Sequence, residues 1–119
     1  MQYVMLIYHG STPLPGTDEW APLPKEEQQR IYAEYGALNQ DPRVTGGLPM
    51  GLPQNATTVR VQDGKTLTTD GPFAAVKEAL GGYFILEADD LDAAIEVASR
   101  VPAARLGGAI EIRPSETYW

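Results

Sequence analysis

The chain has 119 residues, 43% of them hydrophobic, with a net charge of −7. This length predicts one domain over residues 1–119 with a single hydrophobic core. The acidic balance and the nine scattered lysines and arginines argue against direct nucleic-acid binding, which needs a basic surface. With no cysteine, disulfides, thiol nucleophiles and cysteine-based zinc sites are excluded, and one histidine excludes a multi-histidine metal site within the chain. We therefore expect neither a metal nor a cofactor.

The first predicted element is a strand at Gln2 to Tyr8. Both of its alternating sets of side chains are apolar, so we expect burial on both faces. No apolar run is long enough to cross a membrane, and Met1 leads directly into this strand rather than into a signal peptide. We therefore expect a cytoplasmic protein.

A proline-rich loop follows from His9, and a helix is predicted from about Pro24 to Gln40. Pro24 suits a first helical turn, Glu26 and Glu27 complement the positive end of the helix dipole, and Asp41-Pro42 ends the helix.

The next segments predict strands and turns. Val44 to Pro53, rich in glycine and proline, indicates a kinked edge strand or bulge. Thr57 to Gln62 alternates as a half-buried strand, and Asp63-Gly64 predicts a hairpin that returns through Lys65 to Thr69. Gly82 to Ala88 is a strand that is apolar at nearly every position.

The last part of the chain predicts one more helix and one more strand. A helix begins at Asp89-Asp90, with Asp89 as its N-cap and Leu91, Ala94, Ile95 and Ala98 at helical spacing, and Pro102 marks its end. Residues 103–108 are expected to form a loop. Ala109 to Arg113 then alternates as a strand with Ile110 and Ile112 inward.

This order of elements predicts an α+β ferredoxin-like sandwich: two helices on one face of a mainly antiparallel sheet, with an extra hairpin. Two helices cover only one face of a sheet, yet two of the strands are apolar on both. A second copy of the chain is the economical cover for the other face. We therefore predict a homodimer with a cavity between or beside the sheets.

Several ordered motifs carry a family resemblance. They are Tyr3-Val4-Met5-Leu6-Ile7-Tyr8, Thr69-Asp70-Gly71-Pro72-Phe73 followed by Lys77-Glu78 and Gly81-Gly82-Tyr83, Asp89-Asp90-Leu91-Asp92-Ala93-Ala94, Pro102-Ala103-Ala104-Arg105 and Ile110-Glu111-Ile112-Arg113-Pro114. With these motifs the chain resembles the DGPF-domain branch of the YCII-related proteins over nearly its whole length. The resemblance implies a dimeric α/β barrel, and association with an extracytoplasmic-function sigma factor.

Relatives in the narrower YCII group carry a proposed His-Asp pair with its histidine on the first helix. This chain has no histidine there, which leaves only Asp70 as a counterpart.

Asp70 and His9 are the candidate catalytic residues. Asp70 is either a general base or a turn residue whose carboxylate accepts from backbone N–H groups, and the second role is the commoner one. His9 follows the first strand and is the one side chain whose ordinary pKa lies near neutrality. It is either a proton shuttle, forming a dyad with Asp70, or a surface histidine without a catalytic role.

Candidate ligand-binding residues come from several segments. Arg105 either holds a carboxylate or forms a salt bridge. Tyr8 and Tyr83, together with Tyr3, are expected to line the space between the sheets. Phe73 is a ligand contact or, more simply, a core or dimer anchor. Lys77-Glu78 predicts a helical turn, with anion binding by Lys77 as the alternative.

Two functions remain open, and whether the chain is an enzyme stays undecided. One is a dimeric ligand-binding or regulatory protein, favoured by the shortage of catalytic groups. The alternative is a cofactor-free enzyme that uses Asp70 and His9 for acid–base chemistry on a small organic molecule, with an anion as one option.

Overall fold

The computed structural model describes residues 1–74 and 79–118. In these ranges six strands and three helices follow one another along the chain. They are β1 (Gln2–Tyr8), α1 (Lys25–Gln40), β2 (Val44–Pro49), β3 (Thr57–Gln62), β4 (Lys65–Asp70), β5 (Leu80–Glu87), α2 (Leu91–Ser99), α3 (Pro102–Arg105) and β6 (Ala109–Pro114). A short 3₁₀ turn, Pro53–Asn55, precedes β3.

Four of the strands form one antiparallel sheet in the order β2-β5-β1-β6, while β3 and β4 pair as a separate hairpin. In the centre of the sheet, Met5 pairs with Phe84 on one side and Ile112 on the other. This mixed α+β arrangement confirms the predicted class, and its strand order is consistent with the ferredoxin-like fold. The predicted edge position of β2 is also confirmed, with a register shift between Val44 and Gly46.

The helices lie on one face of the sheet and bury its core. Tyr3, Met5 and Ile7 point to this face and pack in one cluster with Leu38 of α1 and Val97 of α2. Ile110 and Ile112 pack against the same cluster, as predicted. Tyr3, expected between two sheets, is instead 4% exposed in this core, because alternation along β1 places it on the same side as Met5 and Ile7.

The opposite sheet face carries Val4, Leu6, Tyr83 and Ile85, which are only partly buried. We call this surface the open face. Among the described residues it carries no helix, so burial of β1 on both faces, as the sequence predicts, is incomplete within one chain.

Two expectations near the carboxyl end were wrong. Residues 103–108 do not form a loop throughout, because Pro102 begins α3 instead of merely ending α2; proline suits a first turn, where its missing N–H costs nothing. The N-cap of α2 is Asp90 rather than Asp89, and its side chain accepts from the Ala93 N–H at 2.8 Å.

The predicted apolar stripe of α2 was wrong in two of its four members. Leu91 and Ile95 are exposed, whereas Ala94, Val97 and Ala98 are buried. The helix therefore turns its 94-97-98 side to the sheet, and the stripe continues into buried Val101.

The hairpin β3–β4 forms where predicted, but the expectation of a half-buried strand was wrong. Val59 and Val61 are 59% and 66% exposed, and no residue of β4 is buried. Alternation predicts a strand with two different faces, but only tertiary packing decides whether either face is covered. No helix in the described ranges is long and apolar enough to cross a membrane.

Candidate functional site

A cavity of about 400 Å³ lies where β1 ends and β5 begins, bounded by β2 and by the carboxyl-terminal part of α1. Its walls are mainly apolar side chains: Ile7, Leu14, Leu48, Met50, Leu52 and Phe84. This volume falls in the lower part of the range of about 300–1,000 Å³ typical of small-molecule sites. We call it the β1–β5 cavity.

Three side chains with polar atoms complete its wall. His9 follows β1, and Tyr35 and Asn39 lie four residues apart on α1, which places both on the same side of the helix. An apolar cavity with a few converging polar groups is the usual form of a ligand site.

His9 is held against the backbone of β5. Its main-chain N–H donates to the Ala79 carbonyl at 3.3 Å, and its imidazole lies directly over Gly81, where a Cβ atom would overlap Cδ2 and Nε2. Gly81 is the extra residue of a β-bulge, because Ile7 pairs with Gly82 while Tyr8 pairs with Leu80.

The imidazole of His9 is neutral near pH 7 and incompletely hydrogen-bonded. Burial lowers the pKa of His9 below its ordinary value of 6.5, and a hydrogen bond with the Gly81 backbone offsets part of that shift. Its Nδ1 is closed to solvent and has no hydrogen-bond partner within residues 1–74 and 79–118. A buried polar atom without a partner costs about 1–3 kcal/mol, so such atoms are uncommon outside functional sites.

Thr12 carries a second polar atom of this kind in the same turn. Its N–H donates to the His9 carbonyl at 2.8 Å, and its side chain is buried with Oγ1 unpaired in the part of the chain that the structure describes. His9 and Thr12 therefore bring two unsatisfied polar groups to one short segment beside the β1–β5 cavity.

Tyr35 is a half-buried phenol on the α1 wall. Burial raises the pKa of Tyr35 above its ordinary value, and the charge of the Glu34 carboxylate raises it further. The phenol is thus a neutral donor and acceptor across the physiological range.

Asp70, the other candidate catalytic residue, lies at the exposed end of β4 opposite Thr57. Asp70 does not line the β1–β5 cavity. The turn after it is held by the Gly71 N–H, which donates to the Ala56 carbonyl at 2.7 Å, and by the Thr58 hydroxyl, which donates to the Gly71 carbonyl at 2.7 Å. The structure does not bring Asp70 into hydrogen-bonding contact with the His9 imidazole.

Arg105 is engaged in ion pairs. Its Nη1 lies 3.0 Å from Glu27 Oε1 and its Nη2 lies 2.5 Å from Glu34 Oε1, joining α3 to α1. These hydrogen bonds raise the pKa of Arg105. Arg105 is not part of the wall of the β1–β5 cavity.

Tyr8 and Phe73 line a second cavity of about 480 Å³, beside the start of β5. Phe73 is 77% exposed, which excludes a core role in the single chain, and the Arg60 guanidinium carbon lies 5.6 Å from its ring centroid. The predicted Lys77-Glu78 helical turn lies outside the described residues.

Four contributors to the site were missed from the sequence. Tyr35 and Asn39 lie four residues apart in the predicted first helix, but that spacing alone does not distinguish a cavity wall from the core or the surface. No pattern in the sequence around Thr12 indicated that it belongs to the site. Gly81 belongs to one of the family motifs, but the sequence does not show that the His9 imidazole packs against it.

The fold and this cavity define a small α+β protein with a ligand-sized, largely apolar site. The chain belongs to the YCII-related family, since the YCII-related domain matches residues 1–116. It is 32% identical over 123 residues to the uncharacterized protein R00369 of Rhizobium meliloti (strain 1021), covering 99% of this chain and 94% of that protein.

A solved structure is similar at a TM-score of 0.48 and 15% identity, covering 98% of this chain and 94% of the other. It is the 5-chloro-2-hydroxyhydroquinone dehydrochlorinase of Burkholderia phenoliruptrix AC1100, in complex with 2,5-dihydroxybenzoquinone. A likeness at this level carries no information on activity.

Proposed function

We propose that the protein binds a small organic molecule in the β1–β5 cavity. The observation that carries this proposal is the buried Nδ1 of the half-buried His9 imidazole, which has no hydrogen-bond partner among the described residues and lies on the wall of a cavity of about 400 Å³. A ligand hydroxyl, amide or carbonyl can supply the missing hydrogen bond after the ring turns about its terminal torsion, which has broad, roughly two-fold minima.

The lone histidine is also the reporter for the test. Imidazole NMR resonances of His9 are followed while a library of small fragments is added, and the melting temperature is recorded for each fragment. We expect a subset of fragments to shift the His9 resonances and raise the melting temperature together, because ligand binding stabilises the folded state.

Two tryptophan variants localise the effect. Asn39→Trp places a large ring at the cavity wall, whereas Gln29→Trp places the same ring on an exposed part of α1 that does not line the cavity. Active fragments should lose their effect in Asn39→Trp and keep it in Gln29→Trp. If no fragment acts on the wild type, or if both variants respond alike, the proposal is wrong.

A second candidate function is acid–base catalysis without a cofactor, supported by the lowered pKa of His9. A neutral imidazole with a free nitrogen accepts a proton at pH 7. In this second candidate function, His9 acts as the general base. Asp70 takes part in catalysis only if ligand binding moves β4 toward the cavity. A fragment turned over by the wild type, still bound by His9→Gln but not turned over by it, would establish the catalytic role.

The homodimer is also a proposal, with the open face as its interface. Val4, Leu6, Tyr83 and Ile85 form an apolar centre, and Glu111 and Arg113 form an ion pair of 2.6 Å at its β6 side. An apolar centre with a charged margin is typical of interfaces between copies. Membership of the DGPF branch, association with a sigma factor and cytoplasmic location stay predictions from the sequence.

A further inference from the structure

We propose that the β1–β5 cavity selects uncharged ligands and rejects anions, a ligand class opposite to the anionic one that the sequence suggested. This inference rests on the proposed binding function and concerns which molecules the site accepts.

The wall supplies no charge to pair with a ligand. In residues 1–74 and 79–118, none of the lining side chains is a lysine, arginine, aspartate or glutamate. A carboxylate moved from water into such surroundings loses its hydration without gaining a counter-ion, and this costs several kcal/mol. An amide, ketone or hydroxyl loses much less and finds partners in His9, Asn39 and Tyr35.

The charge of Arg105, which the sequence suggested as a partner for a carboxylate, is already neutralised by ion pairs. Both terminal nitrogens of the Arg105 guanidinium contact glutamates of α1, at 3.0 and 2.5 Å. One of these glutamates, Glu34, also pairs with Arg30 at 3.0 Å, so this cluster offers an anionic ligand no unpaired cation. The net charge of −7 acts in the same direction at longer range.

The test uses three naphthalene derivatives of nearly equal shape. 2-Naphthamide is neutral, 2-naphthoate is an anion, and 2-acetonaphthone is neutral but, like the carboxylate, has no N–H donor. Dissociation constants are measured by calorimetry at about pH 7.5, where His9 is neutral. We expect both neutral compounds to bind at least about tenfold more tightly than naphthoate, a difference of about 1.4 kcal/mol.

Variants separate this inference from the binding function. Asn39→Trp should abolish binding of the neutral compounds while Gln29→Trp retains it, and Arg105→Gln should leave the preference unchanged. Naphthoate binding as tightly as the amide in the wild type, but not in Asn39→Trp, would overturn the neutral preference and leave the binding function intact. Anion binding that disappears in Arg105→Gln would also overturn the preference. Failure of all three compounds to bind the wild type would overturn the preference together with the binding function on which it rests.

Discussion

The position of His9 depends on the absence of a side chain at Gly81. We predict that Gly81→Ala displaces the imidazole, because a Cβ at residue 81 overlaps Cδ2 and Nε2 of the ring. Forcing extra atoms into a packed contact typically costs about 1–3 kcal/mol. Denaturant unfolding measures the stability, and the His9 imidazole resonances report the displacement.

Gly51→Ala is the matched control, since a Cβ there meets nothing within 4 Å although Gly51 also lines the cavity. It should leave stability and the His9 resonances close to those of the wild type. An unshifted His9 spectrum in Gly81→Ala would contradict the packing described.

The lowered pKa of His9 makes stability depend on pH. The unfolded chain, in which the imidazole titrates near its ordinary pKa of 6.5, takes up the proton before the folded protein does. Stability is therefore fully present above about pH 7 and falls as the pH drops through 6.5 toward the lower folded pKa. NMR titration of the single histidine should give a pKa below 6.5.

His9→Gln should flatten the loss of stability between about pH 7 and 5, because no other side chain has an ordinary pKa in that window. An equally steep slope in the variant would show that another group is responsible.

Residue-level prediction from the sequence was uneven for a physical reason. His9 was chosen because a strand ends beside it, and strand ends are local features. The expected pairing with Asp70 depended on how the hairpin sits relative to the sheet, which no local pattern encodes. The role of Arg105 depended on two glutamates on a different helix, so spacing along the chain could suggest a salt bridge but not its partners.

At the level of elements, one carboxylate ties together the end of α1, the start of β2 and the end of α2. Asp41 Oδ1 accepts from the Arg43 main-chain N–H at 2.9 Å and from its Nε at 3.1 Å. Asp41 Oδ2 accepts from Arg43 Nη2 and from Arg100 Nη2, each at 2.8 Å. The hydrogen bonds from Arg43, then that from Arg100, hold the pKa of Asp41 well below its usual range.

We predict that Asp41→Asn lowers the free energy of unfolding by about 1–3 kcal/mol at neutral pH, the usual worth of hydrogen bonds to a charged group. Because the folded pKa is depressed, the stabilisation is present above pH 3.8, the ordinary value, and is lost as the pH falls toward the folded pKa. Denaturant unfolding measured over this range checks both statements.

Glu96→Gln is the control: Glu96 pairs with the same two arginines but is 55% exposed, so its loss should cost less than about 1 kcal/mol.

The sequence predicted where most helices and strands begin and end, but it did not predict which residues pack against them. Turn and cap residues such as Asp63-Gly64 and Asp41-Pro42 act locally and therefore mark element ends well. The hairpin β3–β4 shows the limit: its register followed from the turn, but its exposure depends on what packs against it. An isolated two-stranded hairpin is marginal in water, so the exposed Val59 and Val61 leave β3–β4 with little support from one chain.

For the whole molecule, the open face is the feature that one chain does not explain. A sheet with one face on the helices normally presents polar residues on the other, yet β1 and β5 place Val4, Leu6 and Ile85 there. The sequence predicted this surplus of apolar positions, because alternation shows both sets at once. It could not predict the extent of the face, which depends on the strand order.

We predict that the protein in solution has a mass twice the 12.9 kDa of one chain, and that Leu6→Glu converts it to a monomer. Leu6 lies on the central strand, opposite Tyr83 and Glu111, so a carboxylate at residue 6 would be buried without a partner in a sheet-to-sheet dimer. Light scattering coupled to size exclusion gives the mass, and circular dichroism shows that the variant remains folded. Leu91→Glu is the control, because Leu91 is an exposed leucine at the start of α2, away from the open face, and should stay dimeric. A monomeric wild type, or a folded Leu6→Glu variant with the wild-type dimer mass, would mean that the open face is not the interface between copies.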